Sequence, residues 1–320
     1  MVRSLKYTRA FFQLVRWSNL LIVAVTMYLL RHFIVLPILE SNGYTSLVSH
    51  LYFGLIVLAT LCIAGAGYVI NDYFDRKADL INRPGKVILG RILSRRAGMI
   101  WHIILNTVGI GLGVFASYKI GAFKHSIIFV FMSGLLWFYS TTYKRQVLLG
   151  NLVVAFMVAM VPLLVLLYEV PLLWYQYKNI FAMDPAALTA IFSWITGYAI
   201  FAFVLSLARE IVKDLEDFEG DFAFGRQTIP IRWGAAVART IALSTVIVSL
   251  LAIIVVALRF TDSFIVIAYI ALAVVLPVIW LLVILWKALT KKSYHICSNL
   301  LKLIMINGIL FTAVAYYFIF

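Results

Sequence analysis

Nine of the thirteen acidic residues fall in two short stretches, NDYFDRKAD (71–79) and REIVKDLEDFEGD (209–221). At 100° per residue, the first sets Asn71, Asp72, Asp75 and Asp79 within an arc of about 100° of a helix face. The second sets Glu210, Asp214, Asp217 and Asp221 within about 60° by the same geometry, with Glu216 and Glu219 pointing the other way. Grouped carboxylates repel: two of them about 4 Å apart cost roughly 4 kcal/mol at an effective dielectric of 20. A shared proton relieves a pair, but six or seven oxygen ligands better suit a hard divalent cation. Mg²⁺ is the natural candidate, because it favours carboxylate and water oxygen and bridges to a substrate's phosphates. The plainer alternative for either stretch is a solvated acidic helix end paired with neighbouring Arg and Lys.

Both stretches follow long apolar runs, where bare carboxylates are costly and usually functional. The chain is 64% hydrophobic with a mean hydropathy of +1.02, far above a water-soluble globular protein. Runs long enough to cross about 30 Å of hydrocarbon as helices are expected near 17–36, 51–70, 99–117, 125–142, 150–168, 189–209, 237–257, 263–285 and 299–319. Runs of this length are too long for barrel strands, so an all-α, polytopic membrane protein with nine transmembrane helices is predicted. No Pro/Gly/Ser-rich linker divides the chain, which predicts a single transmembrane domain over 1–320. The first run is too long for a signal-peptide core and lacks a small-residue cleavage site, so it is expected to remain as the first helix.

Placing the N-terminus in the cytoplasm puts 21 of the 27 basic residues in cytoplasmic segments, 5 outside and Lys302 within the last span. The positive-inside rule therefore predicts a cell-membrane protein with both acidic stretches on the cytoplasmic side. The charge of +14 lies in short loops between spans, which fits orientation and contact with anionic lipid and gives no support for a nucleic-acid partner. Cys62 and Cys297 have no metal or disulfide spacing, the five histidines form no ligand pattern, and the glycines of GIGLG (109–113) read as close helix packing.

NDYFDRKAD resembles the N-D-x-x-D-x-x-x-D motif of the UbiA superfamily of intramembrane prenyltransferases, and KDLEDFEGD followed by FGRQTIP resembles its second aspartate motif. RWSN (16–19) resembles the family's R-x-x-N at the start of the first helix, and YSTTYKRQVLLGN (139–151) its Y-S-x-x-x-K-R…G-N segment. The resemblance spans residues 16 to about 235 and departs in NRPGKVILGRILSRR, which replaces the common R-P-L-P-S-G stretch. It implies that Asn71, Asp75, Asp79, Asp214, Asp217 and Asp221, assisted by Asp72 and Glu210, hold Mg²⁺ bridging the diphosphate of a polyprenyl donor. It also implies that Lys144 and Arg145 clamp diphosphate oxygens, that Arg16 and Asn19 join the substrate site, and that Tyr139 offers its face to an allylic cation.

The second motif most resembles the branch that makes digeranylgeranylglyceryl phosphate, an ether-lipid precursor. This favours geranylgeranylglyceryl phosphate as acceptor over an aromatic quinone precursor such as 4-hydroxybenzoate, homogentisate or a naphthoate. Arg83, Lys86, Arg91, Arg95 and Arg96 could meet an acceptor's phosphate, although the positive-inside rule alone would also put them there. A transporter or lipid-binding protein is the rival class, but transporters place ionisable groups nearer the midplane. The D-G-x-x-A-R core of CDP-alcohol phosphotransferases is missing, while cyclisation by an internal double bond stays open.

Overall fold

The computed structural model describes residues 2–178, 181 and 184–319. Helix α1 (Val2–Leu14) precedes the spans α2 (Trp17–Ser41), α3 (His50–Asn82), α4 (Arg95–Ile120), α5 (Phe123–Arg145), α6 (Leu149–Gln176) and α7 (Ala186–Glu216). Two short helices, α8 (Phe218–Ala223) and α9 (Ile229–Trp233), lead to α10 (Ala235–Phe260), α11 (Phe264–Lys287) and α12 (Lys291–Phe318). Among the described residues, nine helices are long and apolar enough to cross a membrane, as expected, and strand pairing is limited to one bridge between Leu89 and Leu93. Large apolar side chains stand outward on the spans, including Ile127 (71% exposed), Leu258 (74%) and Trp286 (72%). Lipid tolerates such faces; water does not.

The described residues group into two compact units that alternate along the chain. Unit one comprises Met1–Val25, Leu47–Gln146 and Glu219–Arg226, and unit two Thr26–Ser46, Val147–Phe218 and Gln227–Phe320.

In unit one, α3 begins at an N-cap in which Ser49 Oγ accepts from the Tyr52 amide, and it continues unbroken through all of NDYFDRKAD. Two of the GIGLG glycines, Gly109 and Gly113, let α4 approach its neighbours, while Gly111 faces open space. A Cβ at Gly109 would come within 2.8 Å of Ile63 and 3.0 Å of the Ala59 carbonyl, and one at Gly113 within 2.3 Å of the Phe129 ring. Small residues at these points are what close helix packing requires. Helix α1, not separated out from the sequence, buries Ala10 and Leu14 with Val69, Ile88 and Leu89, and sets the Phe11 ring 4.5 Å from that of Trp101.

In unit two, Leu205, Ala208, Ile211 and Val212 of α7 share a core with Val246, Leu281 and Leu301. Two π-helical turns, Arg31–Val35 and Ile270–Val275, end two residues before Pro37 and Pro277. Proline lacks the N–H that would bond the carbonyl four residues back. At Pro277 that carbonyl belongs to Ala273, and Asn307 Nδ2 donates to it at 2.6 Å. The same unit buries an ion pair: Arg31 Nε donates to Glu169 Oε1 at 2.6 Å, and Ser46 Oγ donates to Glu169 Oε2 at 2.7 Å.

Candidate active site

The last three turns of α3 carry the first acidic stretch in unit one, and basic side chains meet it there. Lys144 Nζ, from the turn closing α5, donates to Asn71 Oδ1 at 2.7 Å and also to Asp75 Oδ2. The Arg226 guanidinium donates from Nη2 to Asp75 Oδ1 and from Nη1 to Asp221 Oδ1, the latter at 2.7 Å. Asp75 is buried, and each of its oxygens faces a cation. Asp79 lies one turn further on the same helix face, half-buried.

Arg16 Nη2 donates to Asp72 Oδ1 at 2.8 Å, and the guanidinium carbon sits 4.8 Å above the Tyr68 ring. Desolvation works against the Arg16 charge, but Asp72, Tyr68 and Asp79 together hold the guanidinium pKa above its ordinary value. Arg16 takes a left-handed backbone, φ 51°, a conformation that costs a side-chain-bearing residue about 1–2 kcal/mol. Such strain persists where the surroundings over-determine it, often at functional sites. Asn19, half-buried, follows one turn later, its amide donating to the Arg16 carbonyl at 2.8 Å. Tyr139 presents its ring to Lys144, whose Nζ is 5.8 Å from the centroid. Arg145 is exposed.

The second acidic stretch is not one continuous helix face. Helix α7 ends at Glu216, Asp217 caps it with φ −96° and ψ 11°, and the chain restarts as α8. The expected 60° arc therefore does not extend to Asp221. The reason lies at Gly220, whose amide donates to Asn82 Oδ1 at 2.9 Å and whose absent Cβ would come within 2.5 Å of Asn82 Nδ2. An uninterrupted helix would commit that amide to an intrahelical bond. Within unit two, Asp214 Oδ2 accepts from Asn151 Nδ2 at 2.8 Å, and Glu210 is flanked by Arg209 at 3.1 Å and Lys213 at 3.6 Å. Glu216 instead meets His295 at 2.9 Å, and Glu219 is exposed, in line with their expected separation from the other acids. Among the described residues no three His, Cys, Asp or Glu side chains are gathered as a ready-made metal cluster.

The profile of the UbiA prenyltransferase family matches residues 33–306, which takes in both acidic stretches. The chain belongs to the UbiA prenyltransferase family. It is similar to the digeranylgeranylglyceryl phosphate synthase of Methanosarcina mazei, 30% identical over 301 residues that cover 93% of this chain and 94% of that one. A solved structure described as digeranylgeranylglyceryl phosphate synthase in membranes is alike in fold, with a TM-score of 0.63 and 21% identity over 99% of both chains. A UbiA homolog from Archaeoglobus fulgidus bound to GPP and Mg²⁺ gives a TM-score of 0.56 at 14% identity, covering 95% of this chain and 99% of that one.

Three polar residues outside the expected site meet the acidic stretches of this UbiA-family chain: Arg226 bonds Asp75 and Asp221, Asn151 bonds Asp214, and Asn82 accepts from the Gly220 amide. Arg226 and Asn151 lie in the motifs FGRQTIP and YSTTYKRQVLLGN, so a signal existed. Asn82, in a loop-like NRPG, gave none.

Proposed function

We propose that the protein transfers a geranylgeranyl group from its diphosphate to the hydroxyl of geranylgeranylglyceryl phosphate, forming an ether bond and releasing diphosphate. The single observation that carries the acceptor is the 30% identity, over nearly both full lengths, to a relative named for that product. Acting as one membrane domain over 1–320, the chain would keep its N-terminus and active site on the cytoplasmic side of the cell membrane, in keeping with the 21-to-5 charge split.

Asn71, Asp72, Asp75, Asp79, Glu210, Asp214, Asp217 and Asp221 are the proposed Mg²⁺ ligands. They are oxygen donors throughout, the chemistry a hard cation selects. Mg²⁺, when bound, supplies Lewis acidity toward the charge that grows on the leaving diphosphate. Lys144 and Arg16, already set against Asp75 and Asp72, add fixed positive charge there, and Arg145 and Asn19 complete the donor's polar surroundings. The donor's C1–O bond breaks with its electron pair leaving on diphosphate. The allylic cation needs an electron-rich face, and Tyr139 already holds an ammonium on its ring. The acceptor hydroxyl oxygen then bonds to C1, and its proton passes to the departing diphosphate. An alcohol is a weaker nucleophile than an activated aromatic carbon, so this acceptor demands a well-developed cation.

The test is purified protein with geranylgeranyl diphosphate, offered either geranylgeranylglyceryl phosphate or 4-hydroxybenzoate, with diphosphate release and product mass measured. Ether product with the glyceryl phosphate lipid is expected. Turnover of 4-hydroxybenzoate alone would overturn the acceptor in favour of quinone biosynthesis, and no diphosphate release with either would count against an enzyme of this class.

A further inference from the structure

Arg226 joins the two acidic stretches through one side chain: its guanidinium fork spans Asp75, 151 residues earlier, and Asp221, 5 residues earlier. The three side chains are nearly dry, with exposures of 13% for Arg226, 8% for Asp75 and 4% for Asp221. Two such carboxylates beside one another need a counter-charge, and Arg226 supplies it from within the chain. Lys144 faces the other oxygen of Asp75 and is also anchored to Asn71 at 2.7 Å. Among the described residues, both side-chain hydrogen bonds of Arg226 go to carboxylates.

We infer that Arg226 is a resident counter-ion that exchanges Asp75 and Asp221 for the donor's diphosphate when metal binds. This rests on the proposal that these acids ligate Mg²⁺. A cation ligated by Asp75 Oδ1 and Asp221 Oδ1 must take the place of the guanidinium. The released fork matches phosphate oxygens as well as carboxylates, because its N–H groups pair bidentately with either. Metal alone must therefore displace Arg226 with no new partner for it, whereas metal and diphosphate together give it one. Metal and diphosphate consequently bind with positive coupling, and each tightens the other by the same factor. Arg226 is in this sense a positioning residue whose effect is read in binding as well as in turnover.

The experiment measures Mn²⁺ affinity of the full-length, detergent-purified protein by electron paramagnetic resonance, with and without inorganic pyrophosphate and with no acceptor present. Wild type is expected to bind Mn²⁺ weakly alone and more tightly with pyrophosphate. Arg226→Gln should bind Mn²⁺ alone about tenfold tighter and lose about tenfold of the coupling, as removal of an adjacent positive charge requires. Arg226→Lys, which keeps the charge but cannot bridge both carboxylates, should fall between the two and serves if the glutamine variant does not fold. Unchanged or weaker Mn²⁺ binding in Arg226→Gln, with wild-type coupling intact, overturns the exchange and leaves Arg226 a structural strut. Absence of Mn²⁺ binding by wild type under both conditions overturns the metal reading itself, and the exchange with it. An error in the acceptor changes neither measurement.

Discussion

The side-chain oxygen of Asn82 accepts a hydrogen bond from the backbone amide of Gly220 at 2.9 Å, across 138 residues of sequence. It closes the end of α3 onto α8, and a Cβ at Gly220 would meet the Asn82 side chain at 2.5–2.7 Å, forcing that side chain to give way. Gly220→Ala is expected to cost about 1–3 kcal/mol by overpacking and to lower activity with it. Asn82→Ala strands the buried amide at a cost of about 1–3 kcal/mol. The double variant should be no worse than Gly220→Ala alone, since the clash and the stranded partner are one contact. Additive losses in a denaturation series would show that the two residues act separately.

Asp75→Asn removes a carboxylate that meets both Lys144 and Arg226. Turnover should fall by at least about a thousandfold, as for loss of a group acting on the transition state, with Mg²⁺ in excess giving no rescue. Glu219→Gln alters an exposed acid and should leave kcat within about twofold, as surface substitutions usually do. Equal damage from the two variants would refute the assignment of Asp75 to the site.

Thr45 and Lys86 are exposed residues in loops on either side of α3. With Cys62 and Cys297 first replaced by serine, Thr45→Cys should react with an impermeant thiol reagent added outside intact cells, and Lys86→Cys only after permeabilisation. The reverse pattern would invert the proposed orientation.

Glu169→Gln leaves the Arg31 guanidinium without the carboxylate it meets at 2.6 Å, where both side chains are about 1% exposed or less. Breaking such a pair costs about 3–5 kcal/mol, whereas apolar replacement of both partners is often neutral. A lower Tm for Glu169→Gln, with Arg31→Met/Glu169→Leu near wild type, is the expected result. Since Glu169 is bonded to Arg31 and Ser46, neither of them a proposed ligand, donor KM should stay unchanged in the folded fraction.

The basic residues in and around the loop between α3 and α4 divide in role. Arg76 Nε donates to the Leu89 carbonyl at 3.2 Å and Arg91 to that of Pro84, so both hold the loop together. Arg95 lies 4.6 Å from the Tyr73 ring centroid, and Arg96 is exposed. The Arg95→Ala/Arg96→Ala variant is expected to raise KM for the phosphorylated acceptor about tenfold with donor KM little changed, the pattern of lost uniform binding. An unchanged acceptor KM would assign these charges to membrane orientation alone.

Some of this architecture is written in the sequence because it is local. Nine apolar runs must be helices in lipid, since only internal hydrogen bonding satisfies their backbones. The positions of Asn71, Asp72, Asp75 and Asp79 on one face follow from helical periodicity, and α3 keeps them so. Gly109 and Gly113 of GIGLG likewise report close packing, whereas a Cβ at Gly111 would meet nothing within 4 Å. Contacts made across long stretches of chain could not be read this way. The break at Asp217 depends on a partner for Gly220 that lies 138 residues away. The role of Arg226 depends on Asp75, 151 residues away, since periodicity carries no record of which distant charge will stand opposite. Sequence supplies the acids and the helix faces; tertiary packing decides which cation neutralises which carboxylate, because buried charge must find its counterpart wherever the fold brings one within hydrogen-bonding distance.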